Sequence, residues 1–247
     1  MTKDRKLILL GDSAFAEIAF EYFTHDSPYE VVAFAVERAF LKRPELFGRP
    51  VVALEDLPTL YSAADHWFYA ALVYTKLNRL RTRLYRTAKE MGYRPASFIS
   101  PQAFVWRNVN VGEHCFIFEN NVIQPFVTIG DNVVLWSGNH IGHHSTIGDH
   151  CFISSHVVVS GFCDIGESCF LAVNATIGNN VMIGQDCLLG AGAAVVKDVP
   201  PDSLVRGNLS DLSNPISARR FSKVQEEFTT KAQRSHKETQ SETVNSL

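Results

Sequence analysis

From Val111 onward an aliphatic residue recurs every six positions. The series runs Val111, Ile117, Ile123, Ile129, Leu135, Ile141, Ile147, Ile153, Val159, Ile165, Leu171, Ile177, Ile183, Leu189 and Val195 without a slip. An α-helix needs a period near 3.6 and an ordinary strand a period of 2. A period of six fits neither. It fits a β-helix in which each six-residue unit forms one side of a triangular coil. Every third unit opens with an aliphatic residue and glycine: Val111-Gly112, Ile129-Gly130, Ile147-Gly148, Ile165-Gly166 and Ile183-Gly184. That spacing sets about 18 residues per coil and predicts about five coils. Glycine suits such corners because they need either positive φ or a close backbone approach.

Four places after an aliphatic residue comes a small, mostly apolar one. Cys115, Cys151, Cys163, Cys169 and Cys187 all fall in this column, beside Val127, Val133, Ser145, Val157, Ala175, Val181 and Ala193. The column predicts a narrow core where free cysteine packs as a small hydrophobe.

The first hundred residues follow another pattern. Leu7 to Leu10 reads as a strand, Ala14 to Phe23 as a helix, and Val31 to Val36 as a second strand. Phe68 to Tyr74 reads as a further strand, flanked by helical runs at Pro58 to Tyr61 and Lys76 to Lys89. Alternating strands and helices predict a small parallel α/β sheet of Rossmann type. The expected organisation is α/β over 1–97, β-helix over 98–216, and a polar C-terminal tail over 217–247. From Ser222 to Leu247 there is almost no apolar pattern, so a mobile tail is expected.

Composition narrows the partners. The chain is 46% hydrophobic and 20% charged, with a formal charge of -3. That balance offers no general basic field for nucleic acid. No apolar run approaches the ~18 residues of a membrane span, and the N-terminus lacks the pattern of a secretory leader, so a cytoplasmic protein is expected. An odd cysteine count without CxxC argues against a disulfide scaffold.

Six of the nine histidines lie in the repeats: His114, His140, His143, His144, His150 and His156. His143 and His144 follow Ile141-Gly142, which puts them at a corner of the coil, where an imidazole can act as a general base. Zinc hydratases of this shape use two histidines five residues apart. No two of these six have that spacing, and no metal is expected. In the α/β part, Gly11-Asp12-Ser13 keeps one glycine of a dinucleotide turn, which is weak as a motif. A strand ending in glycine before a helix still presents N–H groups to a phosphate; a bare structural turn is the alternative.

The chain resembles the left-handed β-helix acyltransferases, and among them the bacterial nucleotide-sugar acetyltransferases of surface-glycan (lipopolysaccharide-type) biosynthesis. These include the bacillosamine, perosamine and sialic-acid acetylating enzymes. The hexapeptide repeat carries the broad resemblance. The narrower one rests on Lys6-Leu7-Ile8-Leu9-Leu10-Gly11-Asp12-Ser13-Ala14, the FGRPVV segment from Phe47 to Val52, and Leu77 to Arg81. Phe98-Ile99-Ser100-Pro101 and the segment from His143 to Asp149 complete it.

The resemblance implies a homotrimer with active sites between subunits, acetyl-CoA along the groove, and a nucleotide-linked amino sugar held partly by the α/β domain. It implies N-acetylation by direct attack on the thioester. Sugar O-acetylation is one alternative, and a zinc hydratase or non-catalytic scaffold is another. The family's catalytic histidine stands five residues before an Ile-Gly glycine, where His143 stands here, and is followed by an acid, where His144 stands. Asn139, His140 or a neighbouring chain are then the candidates to orient His143. By the same resemblance, Gly161 lies at the thioester carbonyl. Val173, Ala191 and Gly192 line the CoA arm, and Lys197 meets a CoA phosphate. Gly11, Asp12, Ser13, Glu37 and Asn139 are the expected substrate contacts.

Overall fold

The computed structural model describes residues 2–207. The expected tail lies outside the described residues. In the α/β part, β1 (Arg5–Leu10), α1 (Ala14–Asp26) and β2 (Tyr29–Val36) are followed by β3 (Glu45–Leu46), β4 (Arg49–Ala53) and α2 (Leu57–Leu60). Then come β5 (His66–Ala70), α3 (Arg79–Glu90) and β6 (Arg94–Pro95). The sheet order is β3-β4-β2-β1-β5-β6, parallel except for the short β3–β4 pair. β1 is central, and Leu7 to Leu10 are completely buried between the helical layers, as a continuous apolar run should be in a parallel sheet.

Two expected elements are shorter than the pattern suggested. β5 stops at Ala70, and Ala71 to Thr75 leave the sheet as a loop. α3 starts only at Arg79, because Lys76, Leu77 and Asn78 all take positive φ (52°, 47° and 65°). Three consecutive left-handed residues cannot belong to a right-handed helix, and each is costly without glycine.

From Phe98–Ile99 to Leu204–Val205, two-residue strands stack into three parallel sheets of seven, six and five strands. Partners lie 18 residues apart, as in Ile117 with Leu135 and Ile123 with Ile141. These are the three sides of a left-handed parallel β-helix. The six-residue pattern begins two units earlier than Val111, at Ile99 and Val105.

In each strand the second residue points inward and the first outward. The cysteine column is buried throughout, and its thiols meet carbonyls of the next coil: Cys115 Sγ donates to the Gly130 carbonyl at 3.1 Å and Cys163 Sγ to the Gly178 carbonyl at 3.0 Å. Burial pushes the Cys115 thiol up to about 12.

Of the two reasons for glycine at the corners, close approach holds. A Cβ on Gly130 would lie 2.8 Å from the Asp149 nitrogen, and one on Gly166 2.5 Å from the Gln185 nitrogen. Positive φ falls two residues later instead, where Asn, Asp, His or Ser usually stands.

The three outer faces differ. The first carries Phe98, Phe116, Val134, Phe152 and Phe170 and packs under the α/β part. Phe15, Tyr22 and Phe23 of α1 all meet Phe116 edge-on, so one apolar core runs through both parts. The second face is open and largely apolar, with Phe104, Val122, His140 and Val158. The third is polar along most of its length, with Asn110, Thr128, Thr146 and Asp164.

Arg81 of α3 crosses the joint fully buried. It donates to Asn132 Oδ1 and to the carbonyls of Asn132, His150 and Cys151. No helix among the described residues is long and apolar enough to cross a membrane.

Candidate active site

Two sites emerge: an edge of the β-helix and a cleft of the α/β part. The edge lies between the apolar and the polar faces. His143 sits there exposed, its backbone N–H donating to Gln124 Oε1 at 2.9 Å. Its ring lies over Gly161, one coil on. A Cβ at residue 161 would come within 2.7 Å of His143 Cε1, so only glycine leaves room for the imidazole. His143 Nδ1 lies 3.1 Å from Nδ1 of His144, and the two rings are nearly perpendicular at 87°. His143 Nε2 makes no hydrogen bond among the described residues.

His144 is itself clamped. It stacks on Phe126 at 4.6 Å and on Phe162 at 4.8 Å, its counterparts one coil before and one coil after. All three residues take positive φ. For His that is an ordinary exception. For phenylalanine it costs roughly 1 kcal/mol or more. Phe126 and Phe162 are also 59% and 53% exposed. Neither burial within the single chain nor turn chemistry accounts for them.

His143, Gly161, Asn179 and Lys197 occupy the same register on four successive coils. At about 4.8 Å per rung, Lys197 lies about 14 Å from His143 along the edge. The Gly161 N–H, which the resemblance places at the thioester carbonyl, is already donated to Asn179 Oδ1 at 3.0 Å. Val173, Ala191 and Gly192 lie on the other edge of the apolar face, away from His143. One chain therefore does not gather all the expected CoA positions.

Asn139 is corrected. It is buried in the inward column, four places after Leu135, with its amide committed to the Trp136 carbonyl and to the Val157 N–H. Its amide makes no hydrogen bond to His143. His140 points out from the apolar face, and the contact to the His143 ring comes from His144 instead.

In the α/β part, Gly11, Asp12, Ser13 and Glu37 line one cleft of about 570 Å³ at the carboxyl ends of β1 and β2. That is where ligands bind in open parallel sheets. Gly11 has φ +111°, and a Cβ there would sit 3.0 Å from the Ala71 carbonyl oxygen, so the turn requires glycine. Ser13 precedes α1 without capping it by its side chain, leaving N–H groups open to the cleft.

Glu37 is held by a fork from Arg83, two bonds of 2.8 Å, and that pairing keeps its carboxyl below the usual range. Arg43 lies 3.5 Å from Asp12. Lys76, Arg79 and Arg83 add positive charge to the opposite wall. These cations were not singled out from sequence; the basic character of α3 was the available signal. Among the described residues, no three His, Cys, Asp or Glu side chains gather as a metal site would.

Comparisons with known proteins bear on the repeat and the fold. The family model "Bacterial transferase hexapeptide (six repeats)" matches residues 108–142 and 127–161. No curated protein sequence matches the chain. Among solved structures, PerB from Caulobacter crescentus, in complex with CoA and GDP-perosamine, is 28% identical with a TM-score of 0.72. The match covers 81% of this chain and 92% of PerB. The acetyltransferase domain of PglB from Neisseria gonorrhoeae is 23% identical with a TM-score of 0.75, covering 83% of this chain and 97% of that domain.

Variants of the Caulobacter perosamine N-acetyltransferase with one histidine changed to asparagine or alanine, bound to CoA and GDP-perosamine, align at 25% identity and a TM-score of 0.59. The chain carries the bacterial transferase hexapeptide repeat on a left-handed β-helix behind an α/β part and shares its fold with these structures.

Proposed function

We propose that this protein transfers an acetyl group from acetyl-CoA to the amine of a nucleotide-linked sugar. The observation that carries the reading is His143: an imidazole fixed over Gly161 at an open edge, with Nε2 bare. The amine nitrogen attacks the thioester carbonyl, its proton passes to His143 Nε2, and the C–S bond breaks to release CoA. A general base of this kind contributes about 10²–10⁴-fold. The oxyanion takes the Gly161 N–H once the thioester carbonyl displaces the exposed Asn179 side chain from it. Positioning of amine and thioester supplies much of the rest.

The α/β part, residues 1–97, holds the nucleotide. Its cleft offers the start of α1 and Lys76 to the diphosphate, with Arg79 and Arg83 beside it in ion pairs to Asp186 and Glu37. The β-helix, over its described residues 98–207, carries the transfer; residues 208–216 of the expected domain lie outside the described residues. Val173, Ala191 and Gly192 reach the CoA arm from a second chain. A homotrimer closed through the apolar face brings one edge of that face against the opposite edge of the neighbour, which reunites the split site. Lys197 meets a CoA phosphate along the same groove. Substrates of this class fit a cytoplasmic enzyme of surface-glycan biosynthesis. That the 28% identical PerB is bound to both CoA and a nucleotide amino sugar supports the reading.

The test is thiol release from acetyl-CoA with UDP-, dTDP- and GDP-linked amino sugars, wild type beside His143→Ala. Release with one sugar, abolished in the variant, is expected. Unchanged release in His143→Ala refutes the role of His143. A product cleaved by mild base would identify a hydroxyl acceptor.

A further inference from the structure

His143 presents a bare Nε2 only if its proton sits on Nδ1. Free imidazole in water favours the opposite tautomer, so something must hold the proton in place. Acids usually do this in such pairs, as the aspartate of a serine-protease triad does by accepting from the Nδ1–H. Here the group facing His143 Nδ1 is another histidine nitrogen at 3.1 Å.

We propose that His144 is a positioning residue that selects the tautomer of His143, and that Phe126 and Phe162 exist to hold His144 in the orientation that does so. The inference rests on the reading of His143 as the base. His144 accepts the Nδ1–H of His143 through its own Nδ1 lone pair and keeps its own proton on Nε2. When the amine proton arrives at His143 Nε2, the resulting imidazolium still donates from Nδ1 to the neutral His144. No proton needs to move between the rings, and charge balances at every step.

The clamp makes this selection firm. An exposed histidine ring would ordinarily rotate. Stacking at 16° and 26° to two phenylalanines fixes its plane, and in that plane its Nδ1 faces Nδ1 of His143. Phe126 and Phe162 stand at the same left-handed turn on the coils before and after His144, which keeps the sandwich in register.

The experiment uses the full chain labelled with 15N at histidine. Long-range proton–nitrogen correlations of the imidazoles report which nitrogen carries the proton. His143→Ala identifies the His143 signals. The decisive variant is His144→Phe, which keeps the stack and removes the acceptor. It suits this backbone, since phenylalanine stands at the same turn one coil to either side.

We expect an Nδ1–H tautomer for His143 in the wild type and an Nε2–H tautomer in His144→Phe. With the amino sugar found in the thiol-release panel, kcat in His144→Phe should fall at least about tenfold while KM for acetyl-CoA stays within about twofold. His144→Glu, which restores an acceptor, should recover most of the loss.

An Nε2–H tautomer of His143 in the wild type overturns the proposal, as does wild-type kcat in His144→Phe. If His143→Ala turns over normally, the base assignment fails instead, and the tautomer measurement still decides what His144 does.

Discussion

The β-helix and the α/β part are both built on parallel strands, but they hold their candidate sites in opposite ways. In the β-helix every turn is repeated 18 residues later, so each coil serves as a control for its neighbours. Phe126 and Phe162 stand out because Asn, Asp, His, Ser or Gly fills the equivalent turn elsewhere. The scaffold beneath them is uniform, and its chemistry is confined to outward and left-handed positions. In the α/β part no loop has a counterpart. Its cleft is walled by a turn of three left-handed residues, a glycine pressed on a carbonyl, and an Arg83–Glu37 fork. A repeat advertises its exceptions, whereas a unique loop needs coordinates before its exceptions show.

The largest test of that contrast is at the edge. His143→Ala should lower kcat by about 10²–10⁴-fold, read by thiol release, with the melting temperature nearly unchanged because the side chain is exposed. Gly161→Ala should approach that loss without touching the base chemically. The new methyl collides with the imidazole and moves it, and a misplacement of about 1 Å can cost about 10²-fold.

The joint between the parts comes next. Arg81→Ala removes the donor for three buried carbonyls and leaves a void, a loss of about 3 kcal/mol measured by chemical unfolding.

The same joint should confer acid sensitivity. Burial pushes the His114 imidazole down to about 3, and its Nε2 accepts from the Ala70 N–H. The unfolded chain protonates this histidine near pH 6.5, well above the folded value, so the unfolded state binds the extra proton. Stability is complete above about pH 6.5 and declines by up to roughly 1.4 kcal/mol per pH unit as the pH falls toward 3. Burial lowers His150 in the same direction. Melting temperature against pH should be flatter in His114→Gln than in the wild type.

The smallest effect is expected from Asn179→Ala. It frees the Gly161 N–H and should lower KM for acetyl-CoA by a few-fold, with kcat little changed.

Much of the β-helix is legible in its sequence because one physical constraint, an inward aliphatic residue, repeats at fixed spacing. The same arithmetic also contained the correction to Asn139, which sits four places after Leu135 in the inward column. The resemblance to other enzymes drew attention to its chemistry, while its spacing already assigned it to the core.

The edge at His143 was legible by its place at a corner, and its partner was not. Nothing in the spacing distinguishes an imidazole aimed at its neighbour from one aimed at solvent. The cleft residues Gly11 to Ser13 and Glu37 follow from strand ends, which sequence marks well. Arg79 and Arg83 were hidden because basic residues on a helix face usually mean solvation. Only the late start of α3, set by the left-handed Lys76 to Asn78, turns them to the cleft.

The change of pattern near residue 97 invites a cut there. The phenylalanines of the first β-helix face argue that such a cut produces no independent module. Phe98, Phe116 and Phe152 are buried only because α1 and its neighbours lie on them. Released from that cover, the coils would present a flat aromatic stripe to water and invite association through the wrong side. The chain is modular as text and indivisible as a cooperative unit, so an exchange of α/β parts between chains of this architecture has to carry the matching stripe with it.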